Sequence, residues 1–179
     1  MSWLYTLNFS LALAGLALLM VTIALYVDYF CYQSKYYNLW FKKFVWPIVV
    51  LTTIGSVALS LLYSEYFGFV PCSLCWLQRI ALYPQALFSS MAFKNRESRY
   101  FPLYSMALSV FGFCVAVYHY IYQLLPTEVL TGGIVPCLAD GSADCGTRII
   151  DEFGFVTFPL LSAITFAFLI ILYLNLRRS

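Results

Sequence analysis

The sequence predicts an all-α protein that crosses a membrane several times. Its 179 residues are 63% hydrophobic and 10% charged, whereas soluble domains carry about 25% charged residues. Five apolar stretches approach or exceed the roughly 20 residues that a helix needs to cross a bilayer. They are apolar throughout and do not alternate, which argues against the strands of a transmembrane barrel. The predicted class is therefore a polytopic helical bundle.

Taken in order, the apolar stretches cover residues 3–27, 44–63, 74–93, 100–125 and 155–176. The first has no Lys or Arg before it and exceeds the apolar core of a signal peptide, so we interpret it as a retained helix. The third contains Arg79 and the fourth contains His119, while the others carry no formal charge. The sequence therefore predicts five membrane-spanning helices.

The basic residues predict an orientation for these helices. Eight of the ten Lys and Arg residues fall on one side of the membrane, namely Lys35, Lys42, Lys43, Lys94, Arg96, Arg99, Arg177 and Arg178. Because short loops rich in Lys and Arg face the cytoplasm, we expect the N-terminus outside and the C-terminus in the cytoplasm. We expect membrane lipid around the bundle and no nucleic acid as a partner, since there is no basic patch with interleaved aromatic residues beyond these loops.

Two pairs of cysteines then face the outer side, where disulfides persist. Cys72 and Cys75 form a Cys-x-x-Cys pair at the start of the third stretch, where the partial positive charge of a helix N-terminus favours a thiolate. Cys137 and Cys145 lie in the polar loop 126–152. A two-residue spacing closes a loop too small to stabilise the fold much, which favours redox chemistry for the first pair. Two structural disulfides are the alternative.

Metal binding by the four outer cysteines, and a redox role for the other two cysteines, are less favoured. A zinc site made of the four outer cysteines would have to join Cys75 to Cys137 across nearly two predicted helices, in a compartment where oxidation competes for thiols. We therefore expect no metal. Cys31 and Cys114 are interpreted as free thiols that pack as small apolar side chains.

Two polar side chains stand out within the predicted helices. Arg79 follows Cys75 by one turn, so both residues share a helix face. An arginine inside a membrane helix typically faces a polar pathway, a partner or a ligand, although snorkelling to the nearby surface is an alternative. His119 lies at a similar depth in the fourth stretch, and it suits an interior hydrogen bond at least as well as a ligand contact.

The loop 126–152 is the longest segment that is not apolar. It is rich in Gly, Asp and Thr and cannot form a core of its own. Loops of this length in compact proteins commonly carry function. At its end, the apolar residues of the segment 149–155 flank Asp151 and Glu152, a pattern that predicts a short amphipathic helix in the membrane interface.

The ordered motifs of the chain resemble those of the DsbB/BdbC family of disulfide bond formation proteins. They are Pro71-Cys72-x-x-Cys75-Trp76-x-Gln78-Arg79-Ile80 with Tyr83-Pro84 behind it, Tyr118-His119-x-x-Tyr122-Gln123, Pro136-Cys137 followed by Cys145, and Gly154-Phe155-Val156-Thr157-Phe158-Pro159-Leu160-Leu161. The resemblance extends over residues 44–176. It implies a core of four transmembrane helices, to which the helix at 3–27 is an addition with an open role.

The resemblance also implies a quinone-dependent thiol oxidase of the bacterial plasma membrane, with its active-site loops on the outer face. By position, Cys72 and Cys75 would pass electrons to ubiquinone or menaquinone. Cys137 and Cys145 would oxidise a DsbA- or BdbD-like thioredoxin-fold partner. Arg79 matches the quinone-site arginine of the family, and the further candidate quinone contacts are Gln78 and His119.

On this basis we divide the chain into an added helix with its loop, 1–43, and a DsbB/BdbC-like redox domain, 44–179. Because the candidate site residues all lie in the second part, we expect a chain without residues 1–33 to retain activity. Two other interpretations stay open. One is a vitamin-K-epoxide-reductase-like thiol oxidase, which Arg79 and the segment 154–159 do not support. The other is a membrane subunit without enzymatic activity, whose disulfides are structural.

Overall fold

The computed structural model describes residues 2–35, 37, 43–95, 100–124, 145–146 and 148–178, and these residues form a helical bundle. Its helices are α1 (Ser2–Cys31), α2 (Val45–Leu61), α3 (Ser73–Asn95), α4 (Phe101–Leu124) and α5 (Phe158–Arg178). A π-helical turn, Leu62–Tyr66, continues α2. The predicted all-α class is confirmed, and the five helices fall on the five apolar stretches of the sequence.

Four helices in the described part of the chain are long and apolar enough to cross a membrane: α1, α2 with its π-helical turn, α4 and α5. Helix α3 is less apolar but has 23 residues, which correspond to about 34 Å at 1.5 Å per residue. It runs from the end of the bundle that holds Tyr63 back to the end that holds Phe101. This architecture is that of a multi-pass membrane protein.

Helix α5 forms the centre of the bundle. In its most apolar 18-residue window 61% of the residues are buried, against 22% in α1 and 17% in α2. Helix α4 approaches it so closely that a Cβ added at Gly112 would overlap the ring of Phe166. Phe101 meets Tyr173 edge to face at the opposite end of the same pair. The two helices that follow the Cys-x-x-Cys motif in sequence thus carry much of the core.

One polar side chain of α3 is buried in the bundle with its hydrogen bonds satisfied. Gln85 is fully buried, and its amide nitrogen donates to the carbonyl oxygen of Ala81 at 2.9 Å. Its amide oxygen accepts hydrogen bonds from Ser109 on α4 and from Tyr173 on α5, at 3.0 and 2.9 Å. Both ends of the amide are therefore satisfied inside the bundle, as a buried polar group requires.

Helix α1, the predicted addition, packs along α5. The Tyr26 hydroxyl donates to the carbonyl oxygen of Ala167 at 3.2 Å, and a Cβ added at Gly15 would overlap the side chain of Leu161. Near the other end, Tyr63 donates to the side-chain oxygen of Asn8 at 2.5 Å. The division of the chain at residue 43 stays a prediction, but α1 lies against the helices that follow that point.

The prediction of an amphipathic helix over residues 149–155 is wrong. Glu152 and Val156 instead exchange backbone hydrogen bonds of 3.2 and 3.0 Å across a tight turn. Phe153 and Gly154 within the turn have φ values of 57° and 76°. Positive φ angles are costly for most side chains, whereas glycine adopts them without steric cost. Turn formation at Gly154 therefore overrides the helical spacing of the apolar residues, and α5 begins only at Phe158.

Candidate active site

The Cys-x-x-Cys pair lies where the chain turns from α2 into α3. Gly68, with a φ of 72°, helps to reverse the chain, and Cys72 directly precedes the first residue of α3. The Cys72 sulfur accepts the backbone N–H of Cys75 at 3.3 Å. It thereby occupies the position of an N-cap side chain, which satisfies a free amide of the first turn.

The two sulfurs of this pair are thiols in close contact. Cys72 and Cys75 are both free, and their Sγ atoms lie 2.8 Å apart. The hydrogen bond from the Cys75 thiol lowers the pKa of Cys72, His119 lowers it further, and burial opposes both effects. Cys72 is thus set up as the thiolate of the pair, and thiolates are the nucleophiles in disulfide exchange.

His119 joins this pair to two other parts of the molecule. It is buried on α4, and its Nδ1 atom accepts from the Gln78 amide nitrogen at 3.2 Å. A ring that accepts at Nδ1 carries its proton on Nε2, and Nε2 lies 3.1 Å from the carbonyl oxygen of Cys145. The same Nε2 is 3.9 Å from the Cys72 sulfur. His119 therefore lies between the Cys-x-x-Cys pair and the loop cysteine.

Cys145 is docked on the bundle beside the first pair. It is 1% exposed, it packs with Cys72 and Leu74, and it is disulfide-bonded. Its carbonyl oxygen also accepts from Gln123 at 3.3 Å, and Arg148 donates to the Gln123 carbonyl oxygen at 2.7 Å. Cys137, the predicted second member of this pair, lies outside the described residues.

Arg79 is held by the neighbouring helix. Its Nε donates to the Ser60 hydroxyl and its Nη2 to the Ser60 carbonyl oxygen, both at 2.9 Å. The guanidinium also lies 5.2 Å from the centre of the Trp76 ring. Because Ser60 belongs to α2, the arginine is fixed across the interface between α2 and α3, at the edge of a cavity.

The cavity has a volume of about 820 Å³ and one polar end. That end contains the residues singled out from the sequence: Cys72, Cys75, Gln78, Arg79 and His119. Cys145 and Arg148 complete it. The other end is apolar, and its lining includes Leu11, Ala14, Leu18, Leu51, Leu59, Leu82 and Phe166. The cavity thus places a close pair of thiols and a fixed cation beside an apolar region, an arrangement that suits an amphiphilic ligand.

A metal is the other ligand that such side chains could bind. The donor atoms of Cys72, Cys75 and His119 all lie within 4.8 Å of one another. Two thiolates bound to zinc at about 2.3 Å in a tetrahedral site would lie about 3.7 Å apart, whereas these two sulfurs are 2.8 Å apart. The spacing therefore suits a pair about to form a disulfide better than a pair of zinc ligands.

Several residues around the site were not among those predicted from the sequence. Ser60, which holds Arg79, and the cavity residues of α1 carry no sequence signal of their own. Arg148 has a sequence signal, because only Arg148 and Arg79 among the ten Lys and Arg residues lie on the side of the membrane opposite to the other eight. In the structure it forms a 3.5 Å ion pair with Asp151 and holds the Gln123 backbone beside Cys145.

Comparisons with known proteins agree with this arrangement. Residues 42–176 match the family model "Disulfide bond formation protein DsbB". Disulfide bond formation protein C of Bacillus subtilis is 33% identical over 126 residues, or 70% of this chain and 84% of the relative. A probable disulfide formation protein C of Halalkalibacterium halodurans is 36% identical over 129 residues, or 72% of this chain and 90% of the relative.

A probable disulfide formation protein of Oceanobacillus iheyensis is 33% identical over 135 residues, which cover 75% of this chain and 87% of the relative. No solved structure gives a significant match. The family match takes in α2 to α5, and with them the Cys-x-x-Cys motif and both loop cysteines, but not α1. The chain belongs to the DsbB family of disulfide bond formation proteins.

Proposed function

We propose that this protein is a membrane thiol oxidase that accepts electrons from a DsbA- or BdbD-like thioredoxin-fold protein and passes them to a membrane quinone. One observation carries the proposal: a cavity with an apolar end meets the Cys-x-x-Cys thiols and Arg79 at its polar end. A lipid quinone has the same two ends, a polar ring and an apolar tail. Membership of a thiol-oxidising family supports the assignment.

The relay begins at the loop pair. A thiolate of the reduced partner attacks Cys137 and expels Cys145, and a second partner thiolate then releases Cys137 as a thiol. One disulfide breaks and another forms, so two electrons enter the loop pair. The burial of Cys145 supports this order, because a soluble partner cannot reach a sulfur that is 1% exposed.

The second exchange passes these electrons to the Cys-x-x-Cys pair. Cys145 attacks the Cys72–Cys75 disulfide at Cys72, its neighbour in the buried cluster. This attack expels the Cys75 thiolate and forms a Cys145–Cys72 mixed disulfide. The Cys137 thiolate then attacks Cys145, which re-forms the loop disulfide and releases Cys72 as a thiolate. His119 keeps the two sites together, since Nε2 faces both the Cys145 carbonyl oxygen and the Cys72 sulfur.

The last step restores the Cys72–Cys75 disulfide. A bound quinone supplies the acceptor of two electrons and two protons that this oxidation needs. Arg79 would hold the ring end of that ligand near Cys75, one turn away on the same helix. Its guanidinium is already oriented by Ser60, so little conformational freedom is lost when it binds. Gln78 and His119 line the same end of the cavity and are the other proposed contacts.

The proposal places the site on the outer face of the bacterial plasma membrane. The end of the bundle with Cys72 and His119 would face outward, and the end with Arg177 and Arg178 would face the cytoplasm, in line with the excess of basic residues there. The outer compartment maintains disulfides. We propose that the thioredoxin-fold partner of the loop pair lies in the same compartment.

The experiment is an assay of purified protein with a reduced thioredoxin-fold protein and a quinone, read by the absorbance of the quinone. We expect quinone reduction that is lost in Cys75→Ser and retained in Cys114→Ser, because Cys114 is an exposed free thiol outside the cavity. A vitamin-K-epoxide-reductase-like enzyme would share the cysteine requirement but not the dependence on Arg79. Equal rates in the parent and in Cys75→Ser would contradict the proposal.

A further inference from the structure

Helix α1 forms one wall of the cavity although it lies outside the family match, which begins at residue 42. Leu11, Ala14, Gly15 and Leu18 all line the cavity. Their spacing of three and four residues places them on one face of the helix. One face of an element that the family model does not include is therefore turned toward the proposed redox centre.

The opposite wall is a face of α2. Leu51, Gly55 and Leu59 line the cavity at four-residue intervals, and a Cβ added at Gly55 would meet no atom within 4 Å. Both α1 and α2 pack against α5, which leaves a cleft between them. At the end near the cysteines, the cleft is bridged by the hydrogen bond between Tyr63 and Asn8.

The cleft reaches the outer surface of the bundle. Leu51 is 75% exposed, and Ala14 is also exposed, yet both residues line the cavity. In a membrane, such a surface faces lipid chains. An apolar molecule can therefore extend from the cysteines along the cleft into the bilayer without leaving an apolar environment.

We propose that the cleft between α1 and α2 holds the isoprenoid tail of the quinone, and that α1 thereby determines which quinones the protein uses. The inference rests on the proposed function and adds a substrate preference to it. Three observations support the tail as occupant: the cleft is continuous with the thiols and Arg79, most of its lining is apolar although Thr52 and Ser56 of α2 also line it, and it opens where lipid would be.

The test compares a quinone that carries an isoprenoid tail with the same ring lacking a tail. Ala14→Phe places a ring in the cleft at an exposed position, so it does not disturb the core. Ala24→Phe is the matched control, because Ala24 is an exposed alanine of α1 that does not line the cavity. Dissociation constants come from quenching of tryptophan fluorescence, and Michaelis constants come from the reduction assay.

For Ala14→Phe we expect both constants to rise about tenfold for the tailed quinone and by less than about twofold for the tail-free ring, since only the tail loses its apolar contacts. For Ala24→Phe we expect the parent values with both quinones. If the turnover of the tail-free quinone by Ala14→Phe is unchanged, this variant is folded. Equal effects on the two quinones, or none, would overturn the inference. A parent protein that reduces neither quinone would overturn the proposed function itself.

Discussion

At the start of α3, a sulfur atom takes the place of the oxygen that usually caps a helix. Cys72 accepts the amide of Cys75, and it lies 3.9 Å from the Nε2 atom of His119. The hydrogen bond from the Cys75 thiol lowers the pKa of Cys72 most, the His119 ring lowers it further, and the Cys75 amide has a smaller effect in the same direction. The local geometry that begins the helix therefore also activates the thiol.

The lowered pKa of Cys72 predicts how its reactivity depends on pH. The thiolate is the reactive form, so it is fully present above this pKa and is lost only as the pH falls through it. When the pH is lowered from 9, we therefore expect the alkylation rate of Cys72 to stay constant through about pH 8.5, the pKa of an unperturbed thiol, and to fall only at a pH well below it. Peptide mass spectrometry after iodoacetamide treatment measures this rate in the reduced Cys31→Ser/Cys114→Ser protein.

His119→Ala provides the control for that profile. It removes one of the interactions that lower the pKa of Cys72, so the midpoint of the profile should move to higher pH. A midpoint near pH 8.5 in the parent protein, or the same midpoint with and without His119, would contradict the assignment of Cys72 as the activated thiol.

Arg79 gives the second prediction at this scale. A charge-assisted hydrogen bond contributes about 1.5–3 kcal/mol, so Arg79→Ala should raise the Michaelis constant for quinone by about ten- to a hundredfold. The variant should still fold and form its disulfides, with a modest fall in melting temperature because the two hydrogen bonds to Ser60 are lost. Ser60→Ala should have a smaller effect, because the Ser60 carbonyl oxygen still accepts from Arg79.

The kinetic pattern separates two roles for this arginine. A loss confined to the Michaelis constant indicates binding of the quinone, whereas a loss in kcat indicates that the charge acts on the reacting cysteines. A Michaelis constant for Arg79→Ala within about twofold of the parent value would exclude a direct part in quinone binding.

At the scale of elements, α1 changes an expectation drawn from the sequence. From the sequence alone, we expect deletion of residues 1–33 to leave activity, because the candidate site residues lie beyond them. With α1 as a wall of the cavity, we now expect the truncated chain to reduce the tail-free quinone and to lose most of its affinity for the tailed one. Both quinones are assayed in membranes, with insertion checked by resistance to alkaline extraction.

Two results of that truncation would contradict the role of α1. Full activity with the tailed quinone would show that α1 is not needed to hold the tail. Loss of activity with both quinones in a stably inserted chain would show that α1 supports the redox site as a whole.

The helices could be predicted because each is a long apolar run. The cysteines could be predicted as candidate site residues because their spacing is chemically specific. The residues that pack against α1 could not be predicted. Nearly every side of this helix is apolar, so its pattern does not show which face is inward, and only scattered buried polar residues such as Asn8 and Asp28 mark it. The turn at Phe153 and Gly154 was missed for another reason: its backbone angles depend on local turn formation, which the spacing of apolar residues does not report.

At the scale of the whole molecule, one end of the bundle brings two cysteine sites together. The α2–α3 turn supplies Cys72, α4 supplies His119, and Cys145 is docked against both. The burial of Cys145 means that a soluble partner and the Cys-x-x-Cys pair meet different parts of the loop. The proposed relay would therefore have an outer exchange with the partner and an inner exchange with the Cys-x-x-Cys pair.

This arrangement predicts which loop sulfur bonds to the partner. In Cys145→Ser the free Cys137 thiolate should attack the disulfide of the oxidised partner and release one partner thiolate, so that a mixed disulfide accumulates through Cys137 because the Cys145 thiol that would resolve it is absent. Non-reducing electrophoresis shows the adduct, and peptide mapping shows its position. An adduct through Cys145 in Cys137→Ser, with none through Cys137, would reverse the assigned order.

The central claim is that the Cys72–Cys75 thiols deliver their electrons to a quinone. The most direct measurement uses the reduced Cys137→Ser/Cys145→Ser protein, mixed without oxygen with quinone, and counts quinol formed and thiols lost in a single turnover. We predict one quinol per protein molecule together with a Cys72–Cys75 disulfide mapped by mass spectrometry. Thiols that persist at Cys72 and Cys75 while no quinol forms would contradict the account.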